Sequence, residues 1–269
     1  MWGKKDKQCS PDNPADQTQG SYWDHVFLDA PSRLIVTLVI GRRTEETLRK
    51  AFQDFYQRTD RHLPALITTD AYACYGTVII TIYGVWKTDL ELTEAEKIEY
   101  GFDDWPALLF PEEIAYGTVQ KERAQGRVVG VHTQVVLGTE AQVAATLAAC
   151  GTGQTIHTSY VERWNGTQRH FNARKARKVC TFSKDLLFHV AVTWLCVTVY
   201  NFCWTPRTLR VRLPGKQRRY RQRTPAMVAG LAAEPWTVEQ LFRYPLFPDT
   251  IAKKRRKCRR KKRLQREGK

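Results

Sequence analysis

The sequence predicts an α/β fold, and three observations carry this prediction. In the first third of the chain, strand-like and helix-like patterns follow one another in the order strand, strand, helix, strand, helix, an alternation typical of α/β proteins. Hydrophobic residues make up 42% of the 269 residues, which is enough to bury a full core. The apolar run at residues 64–69 ends at Asp70, as expected of a buried strand.

Two strands are predicted at residues 22–29 and 33–40. Both are rich in apolar and β-branched residues, and Ala30-Pro31-Ser32 supplies the turn between them. Residues 1–21 are polar, and we interpret them as a loop or the remains of a hairpin.

A helix is predicted from about Glu45 to Arg58, because Thr44 can cap it and its apolar residues recur at helical spacing. The strand at residues 64–69 follows, and a second helix is predicted up to about Tyr83.

The next part of the chain is predicted to be irregular, over residues 85–126. Residues 127–137 alternate in the manner of a strand, and Thr139 begins a short helix that ends near Cys150. A helix headed by Glu162 comes next, followed by an apolar helix from Ser183.

The positive charge is concentrated near the carboxyl end. The chain has a formal charge of +16, and residues 253–269 contain twelve Lys and Arg against one Glu. Such a segment repels itself and is predicted to be a disordered tail that binds polyanions without reading sequence. Residues 163–178 and 206–223 are also basic and lack Asp and Glu.

Several function classes receive no support. The seven cysteines form no CxxC pair, so a zinc ribbon is not indicated, and their odd number favours reduced thiols in a cytosol. The sequence contains neither GxxxxGK[ST] nor GxGxxG, which argues against nucleotide hydrolysis and dinucleotide redox chemistry.

One apolar segment has two interpretations. Residues 186–204 contain no Asp, Glu, Lys or Arg and are almost long enough to span a bilayer. Polar residues within the segment favour a buried core helix over a membrane span.

Asp70 and Glu162 are the two carboxylates that are candidates for a catalytic site. Asp70 follows a buried strand, and groups at the carboxyl ends of strands line ligand crevices in α/β sheets. Glu162 precedes a run of positive charge that would attract phosphate. Each has a structural alternative: Asp70 as a turn former or helix cap, and Glu162 in a capping box of the form Ser159-x-x-Glu162.

Basic and polar residues after Glu162 are candidates for contact with nucleic acid. Arg169 lies two helical turns after Glu162, so it would share a helix face with that carboxylate and could hold a phosphate. Trp164 is expected to pack the helix against the sheet. The candidate DNA-binding residues are Arg163, Asn165, Arg169, Arg174, Lys175 and Lys178.

Several motifs, in their order and spacing, resemble those of DDE-type insertion-sequence transposases of the retroviral-integrase/RNase H-like superfamily. The resemblance covers nearly the whole chain. It rests on residues 2–9, on Leu66-Ile67-Thr68-Thr69-Asp70-Ala71-Tyr72, on Thr158-Ser159-Tyr160-Val161-Glu162-Arg163-Trp164-Asn165, and on shorter matches at 171–174, 200–203, 209–210 and 224–230.

The resemblance implies an RNase H-like fold, with a mixed five-stranded sheet flanked by helices. It implies that Asp70 and Glu162 are the second and third acidic residues of the DDE triad and bind Mg²⁺ or Mn²⁺, two ions where the triad is complete. Arg169 resembles the basic residue that such transposases carry seven positions after that Glu. The family cleaves and joins DNA, generally as multimers on paired transposon ends.

The resemblance also implies a domain organisation and a location. Residues 1–21 correspond to the remnant of a first strand and a loop, residues 22–204 to the catalytic core with an insertion at about 85–150, residues 205–250 to a basic helical extension, and residues 251–269 to the tail. The expected location is the prokaryotic cytoplasm, associated with the nucleoid and not with a membrane.

The chain departs from the family pattern at the first triad Asp, which relatives carry just ahead of the motif that here begins at Trp2. Asp24 and Asp29 are poor substitutes for it. Two interpretations therefore stand: a transposase catalytic domain that lacks one metal ligand, and a non-catalytic DNA- or RNA-binding protein derived from one.

Overall fold

The computed structural model describes residues 9–10, 12–16, 20–88, 106–175, 183, 185–215 and 219–244. Within these residues the chain is a mixed α/β protein with seven α-helices and nine strands in four small sheets. The predicted α/β class is therefore confirmed. The largest described sheet has three strands, so the five-stranded RNase H-like sheet stays a prediction.

The first sheet is an antiparallel pair, β1 (Trp23–Leu28) and β2 (Ile35–Gly41). Helix α1 (Glu45–Arg58) follows, and its first turn is capped by Thr44, whose side chain accepts a hydrogen bond from the Thr47 N–H. Both strands and the helix lie within two residues of the limits that the sequence predicts.

The second sheet is built around a strand that the sequence did not predict. Strand β3 (Leu66–Asp70) pairs in parallel with β6 (Ala115–Ala124), which pairs in antiparallel with β7 (Arg127–Leu137). The prediction of irregular structure over residues 85–126 is wrong for β6 and for the short pair β4 (Val85–Lys87) and β5 (Ala107–Leu109). Residues 89–105 lie outside the described part.

Strands β1 and β3 both line one cavity of about 340 Å³, yet they belong to separate sheets and are not hydrogen-bonded to each other. The floor of this cavity includes Leu48 and Phe52 from α1.

Apolar packing joins the helices to the sheets in three clusters. Helix α2 (Cys74–Tyr83) and α1 enclose the first, which includes Phe52, Val78 and Ile79. Helix α3 (Glu140–Cys150) packs Val143 and Leu147 against β6 in another. The cluster that matters most for the site unites β2 with helices α4 (Ser159–Phe171) and α5 (Leu186–Phe202) around Trp164.

Helix α5 begins the stretch that resembles a membrane span. The stretch Leu186–Leu209 is long and apolar enough to cross a membrane by length and composition, and 28% of its most apolar window is buried. This is weak evidence for a span, because the core helix of a soluble protein passes the same test. Helix α5 also buries polar side chains such as Thr193 and Asn201.

The region after α5 contains short elements. Strands β8 (Val211–Arg212) and β9 (Tyr220–Arg221) form a small antiparallel ribbon, and helices α6 (Pro225–Val228) and α7 (Val238–Arg243) follow. The predicted disordered tail, residues 251–269, lies outside the described residues, as do residues 1–8 of the predicted first-strand remnant.

Candidate metal and nucleic-acid site

Asp70 is the last residue of β3, and its side chain is exposed at the end of the strand. It faces Arg43, whose guanidinium lies 3.5 Å from the carboxylate. The Arg43 guanidinium also stacks over the rings of Trp23 and Tyr72, at 4.9 and 4.4 Å from their centroids. The strand end thus presents a carboxylate beside a cation that aromatic rings hold in place.

Glu162 lies in the first turn of α4, and its side chain is half exposed. Trp164, two residues later, is 1% exposed and packs against Tyr200, with ring centroids 4.7 Å apart. Because residues two apart lie on nearly opposite sides of a helix, burial of Trp164 turns Glu162 away from the core. The expectation that Trp164 packs the helix is confirmed.

The capping-box interpretation of Glu162 is wrong. The helix cap is Thr158 and its side chain makes no capping bond. The Ser159 hydroxyl instead hydrogen-bonds His157 Nδ1 at 3.0 Å. The Thr158 hydroxyl donates to Glu162 Oε1 at 2.8 Å, so the carboxylate is held above the helix end rather than folded back on its backbone.

Asp70 and Glu162 converge on one groove although they are far apart in the sequence. The groove has a volume of about 390 Å³, and both carboxylates line it together with Thr158, Asn165 and Arg169. Asn165 and Arg169 are one and two turns along α4 from Glu162, on the same helix face. The predicted placement of Arg169 beside Glu162 is therefore confirmed as geometry.

The far wall of the groove comes from β6, which sequence reasoning missed. Val119, Lys121 and Arg123 alternate along this strand and all line the groove. The Lys121 ammonium contacts Glu162 Oε1. Residues 115–123 do not alternate regularly between apolar and polar side chains, so no local signal marked this strand or the helix that it meets.

The groove carries more positive than negative charge, with three cations and two carboxylates among its lining residues. Burial acts to raise the pKa of Glu162, but hydrogen bonds from Lys121 and Thr158 and the charges of Lys121 and Arg123 outweigh it. The pKa of Glu162 is therefore lowered from its ordinary value, and the carboxylate is ionised at neutral pH.

Carboxylate oxygens of Asp70 and Glu162 are ligands that hard divalent cations prefer. Two carboxylates that line one groove can serve a single ion that keeps several waters. Within the described residues, no group of three or more His, Cys, Asp and Glu side chains could hold a metal ion. The two carboxylates that line the groove in the described part of the chain can therefore serve one Mg²⁺ or Mn²⁺ ion.

The other predicted DNA contacts are scattered. Arg163 is exposed but does not line the groove, and Arg174 is exposed in the turn after α4. Lys175 forms a 2.5 Å ion pair with Asp24, and the two side chains are only 10% and 18% exposed. A phosphate contact by Lys175 is not supported by this position. Lys178 lies outside the described residues.

Comparison of the chain with family models, with curated proteins and with solved structures gives no match.

Proposed function

We propose that this chain is the catalytic domain of a DDE-type DNA transposase, which cleaves DNA strands and joins them to a target in a metal-dependent reaction. The observation that carries the proposal is the convergence of Asp70 and Glu162 on one groove rimmed by Lys121, Arg123 and Arg169. A pair of carboxylates serves to bind a metal ion, and surrounding cations serve to bind a phosphodiester backbone.

In this proposal the residues divide into two roles. Asp70 and Glu162 would hold a divalent ion, which supplies Lewis-acid activation of a phosphodiester when bound. Arg169 and Arg123 would bind the phosphates on either side, and Asn165 would hydrogen-bond to sugar or base. The groove would be shared by paired DNA ends in a multimer, in a prokaryotic cytoplasm and in association with the nucleoid.

The test is Mg²⁺-dependent cleavage of DNA by the full chain and by the variant Glu162→Gln. Gln keeps the size and hydrogen-bonding capacity of Glu but loses its charge, so we expect loss of cleavage with retention of fold. A matched control is Glu140→Gln, because Glu140 also lies in the first turn of a helix, α3, away from the groove. Equal activity of both variants would rule out the proposed site.

A second function, DNA or RNA binding without cleavage, is favoured by a specific observation. The described residues bring only two carboxylates to the groove, and both contact a basic side chain, Arg43 or Lys121. Such a groove would still attract polyanions. Salt-sensitive binding that needs no divalent ion, without cleavage in any metal, would establish this second function in place of the first.

A further inference from the structure

Each carboxylate of the groove forms an ion pair with a basic side chain from another part of the sequence. Arg43, just before α1, contacts Asp70, and Lys121 on β6 contacts Glu162. A basic side chain at each carboxylate occupies space where a metal ion would sit, because both compete for the same oxygen atoms. The two cations are nevertheless held in different ways.

Arg43 is fixed by several partners. Its guanidinium stacks on Trp23 and Tyr72, and its backbone carbonyl accepts a hydrogen bond from the Tyr72 hydroxyl at 3.2 Å. Removing Asp70 from this arrangement would leave the stacking intact. Arg43 therefore has partners besides Asp70.

Lys121 is held at its charged end by Glu162 alone among the described residues. Its stem is flexible, and an ammonium on four methylene groups can move several ångströms without a change of backbone. The backbone of Lys121 is held in the strand ladder, because β6 is paired with β7 there, opposite Val131.

Strands β6 and β7 project past the end of β3 as a hairpin. Strand β3 pairs with β6 only as far as Asp70, opposite Val119. The hairpin continues to a two-residue turn at Gln125 and Gly126, both with positive φ of 50° and 80°. Lys121 and Arg123 thus stand on the part of this hairpin that continues beyond β3, and both line the groove.

We propose that Lys121 is a built-in counter-ion for Glu162, which holds the carboxylate in place without a divalent ion and leaves it when the ion binds. This inference rests on the proposed function, because it assumes that Glu162 is a metal ligand. Lys121 is then a positioning residue. Once displaced, its ammonium stays in the groove beside Arg123 and Arg169, where it adds a third contact for phosphate.

Mn²⁺ binding by the full chain, without any reaction, measures the role of Lys121. Displacing an ammonium from a carboxylate opposes metal binding, so removal of the Lys121 charge strengthens it. With the Coulomb energy of a partly exposed contact, we expect Lys121→Met to lower the dissociation constant for Mn²⁺ about tenfold. The titration follows the paramagnetic resonance signal of free Mn²⁺ with the full chain.

The matched control is Arg123→Met. Arg123 lies on the same face of the same strand and its charge also acts on Glu162, but it has no ion pair with the carboxylate among the described residues. Removing the Arg123 charge changes the electrostatic field in the groove, but it does not free a carboxylate oxygen of Glu162 for the metal ion. We expect its effect on Mn²⁺ affinity to be about twofold or less, since a charge without direct contact is screened by solvent.

Glu162→Gln separates failure of this inference from failure of the proposed function. If Glu162→Gln weakens Mn²⁺ binding and Lys121→Met leaves it unchanged, Lys121 is not a counter-ion and the inference alone is overturned. The inference is overturned as well if Arg123→Met strengthens binding as much as Lys121→Met. If Glu162→Gln binds Mn²⁺ as the parent chain does, the proposed metal site fails and the inference fails with it.

Discussion

The side-chain amide of Asn201 forms two hydrogen bonds with the backbone of Ile35. Its Oδ1 accepts from the Ile35 N–H at 3.0 Å, and its Nδ2 donates to the Ile35 carbonyl at 2.9 Å. Asn201 belongs to α5 and is 6% exposed, whereas Ile35 opens β2. The amide satisfies the two backbone groups of Ile35 with a helix side chain, and so it fixes how α5 lies on the first sheet.

Replacement of Asn201 by Ala is expected to lower the free energy of unfolding by about 2–3 kcal/mol, because it leaves the buried N–H and carbonyl of Ile35 without partners. Urea denaturation measures the change. Thr198→Ala is the control, because among the described residues the Thr198 hydroxyl bonds only to the Trp194 carbonyl in its own helix, and its loss should cost under about 1 kcal/mol. Equal effects of the two substitutions would contradict the role given to Asn201.

Trp164 anchors the helix that carries Glu162, so its truncation is expected to cost stability. It is 1% exposed within the cluster that includes Leu38, Val197 and Tyr200. Trp164→Ala should lower the free energy of unfolding by about 3–5 kcal/mol, the usual range for large aromatic residues in a core. The neighbouring Arg163→Ala, on the exposed face, should change it by less than about 0.5 kcal/mol. Thermal unfolding followed by circular dichroism distinguishes the two.

Local signals in the sequence were sufficient for some elements. Helix α1 was predicted with the limits that it has, because Thr44 caps it and its buried residues recur at helical spacing. The same applies to α3, which ends at Gly151 in the left-handed conformation that favours glycine.

Long-range contacts explain what could not be predicted. Strand β6 is defined by pairing with β3, far earlier in the chain, and its residues show no regular alternation of apolar and polar side chains that would mark a strand. The contact of Lys121 with Glu162 joins residues 41 positions apart. Lys175 belongs to a basic run, but its partner Asp24 is 151 positions away. No local sequence pattern predicts such an ion pair. Charge density alone therefore does not distinguish a basic residue that lines the groove, such as Arg169, from one that is paired within the fold, such as Lys175.

His189 is expected to make stability depend on pH. Burial, and then the charge of Lys175, lowers its pKa to about 4, while an unfolded histidine has a pKa of about 6.5. Between these values the unfolded chain binds a proton that the native chain does not, so the free energy of unfolding falls as the pH drops from about 6.5 to about 4. Urea unfolding at several pH values measures this slope.

His189→Gln should reduce that slope, because an amide does not titrate and can still hydrogen-bond the Ser183 hydroxyl, which lies 2.9 Å from His189 Nδ1. His62→Gln, at an exposed position, is the matched control, and a larger change of slope in the His189 variant than in this control attributes the pH dependence to His189. An unchanged slope in the His189 variant would show that other groups cause the pH dependence.

Arg169 and Lys175 are predicted to differ in their contribution to DNA binding, although both belong to the same basic run. Arg169 lines the groove, and loss of one phosphate contact should reduce the slope of log affinity against log salt concentration by about 0.9. Lys175 is paired with Asp24 in a largely buried position. Lys175→Met should therefore keep the salt slope and lower the free energy of unfolding by about 3 kcal/mol, because it leaves a buried carboxylate unpaired.

Binding of labelled duplex DNA by anisotropy, between low and moderate salt, gives the slopes for Arg169→Met and Lys175→Met. An equal loss of slope in the two variants would mean that Lys175 leaves Asp24 for DNA, and that the basic run acts as one surface after all.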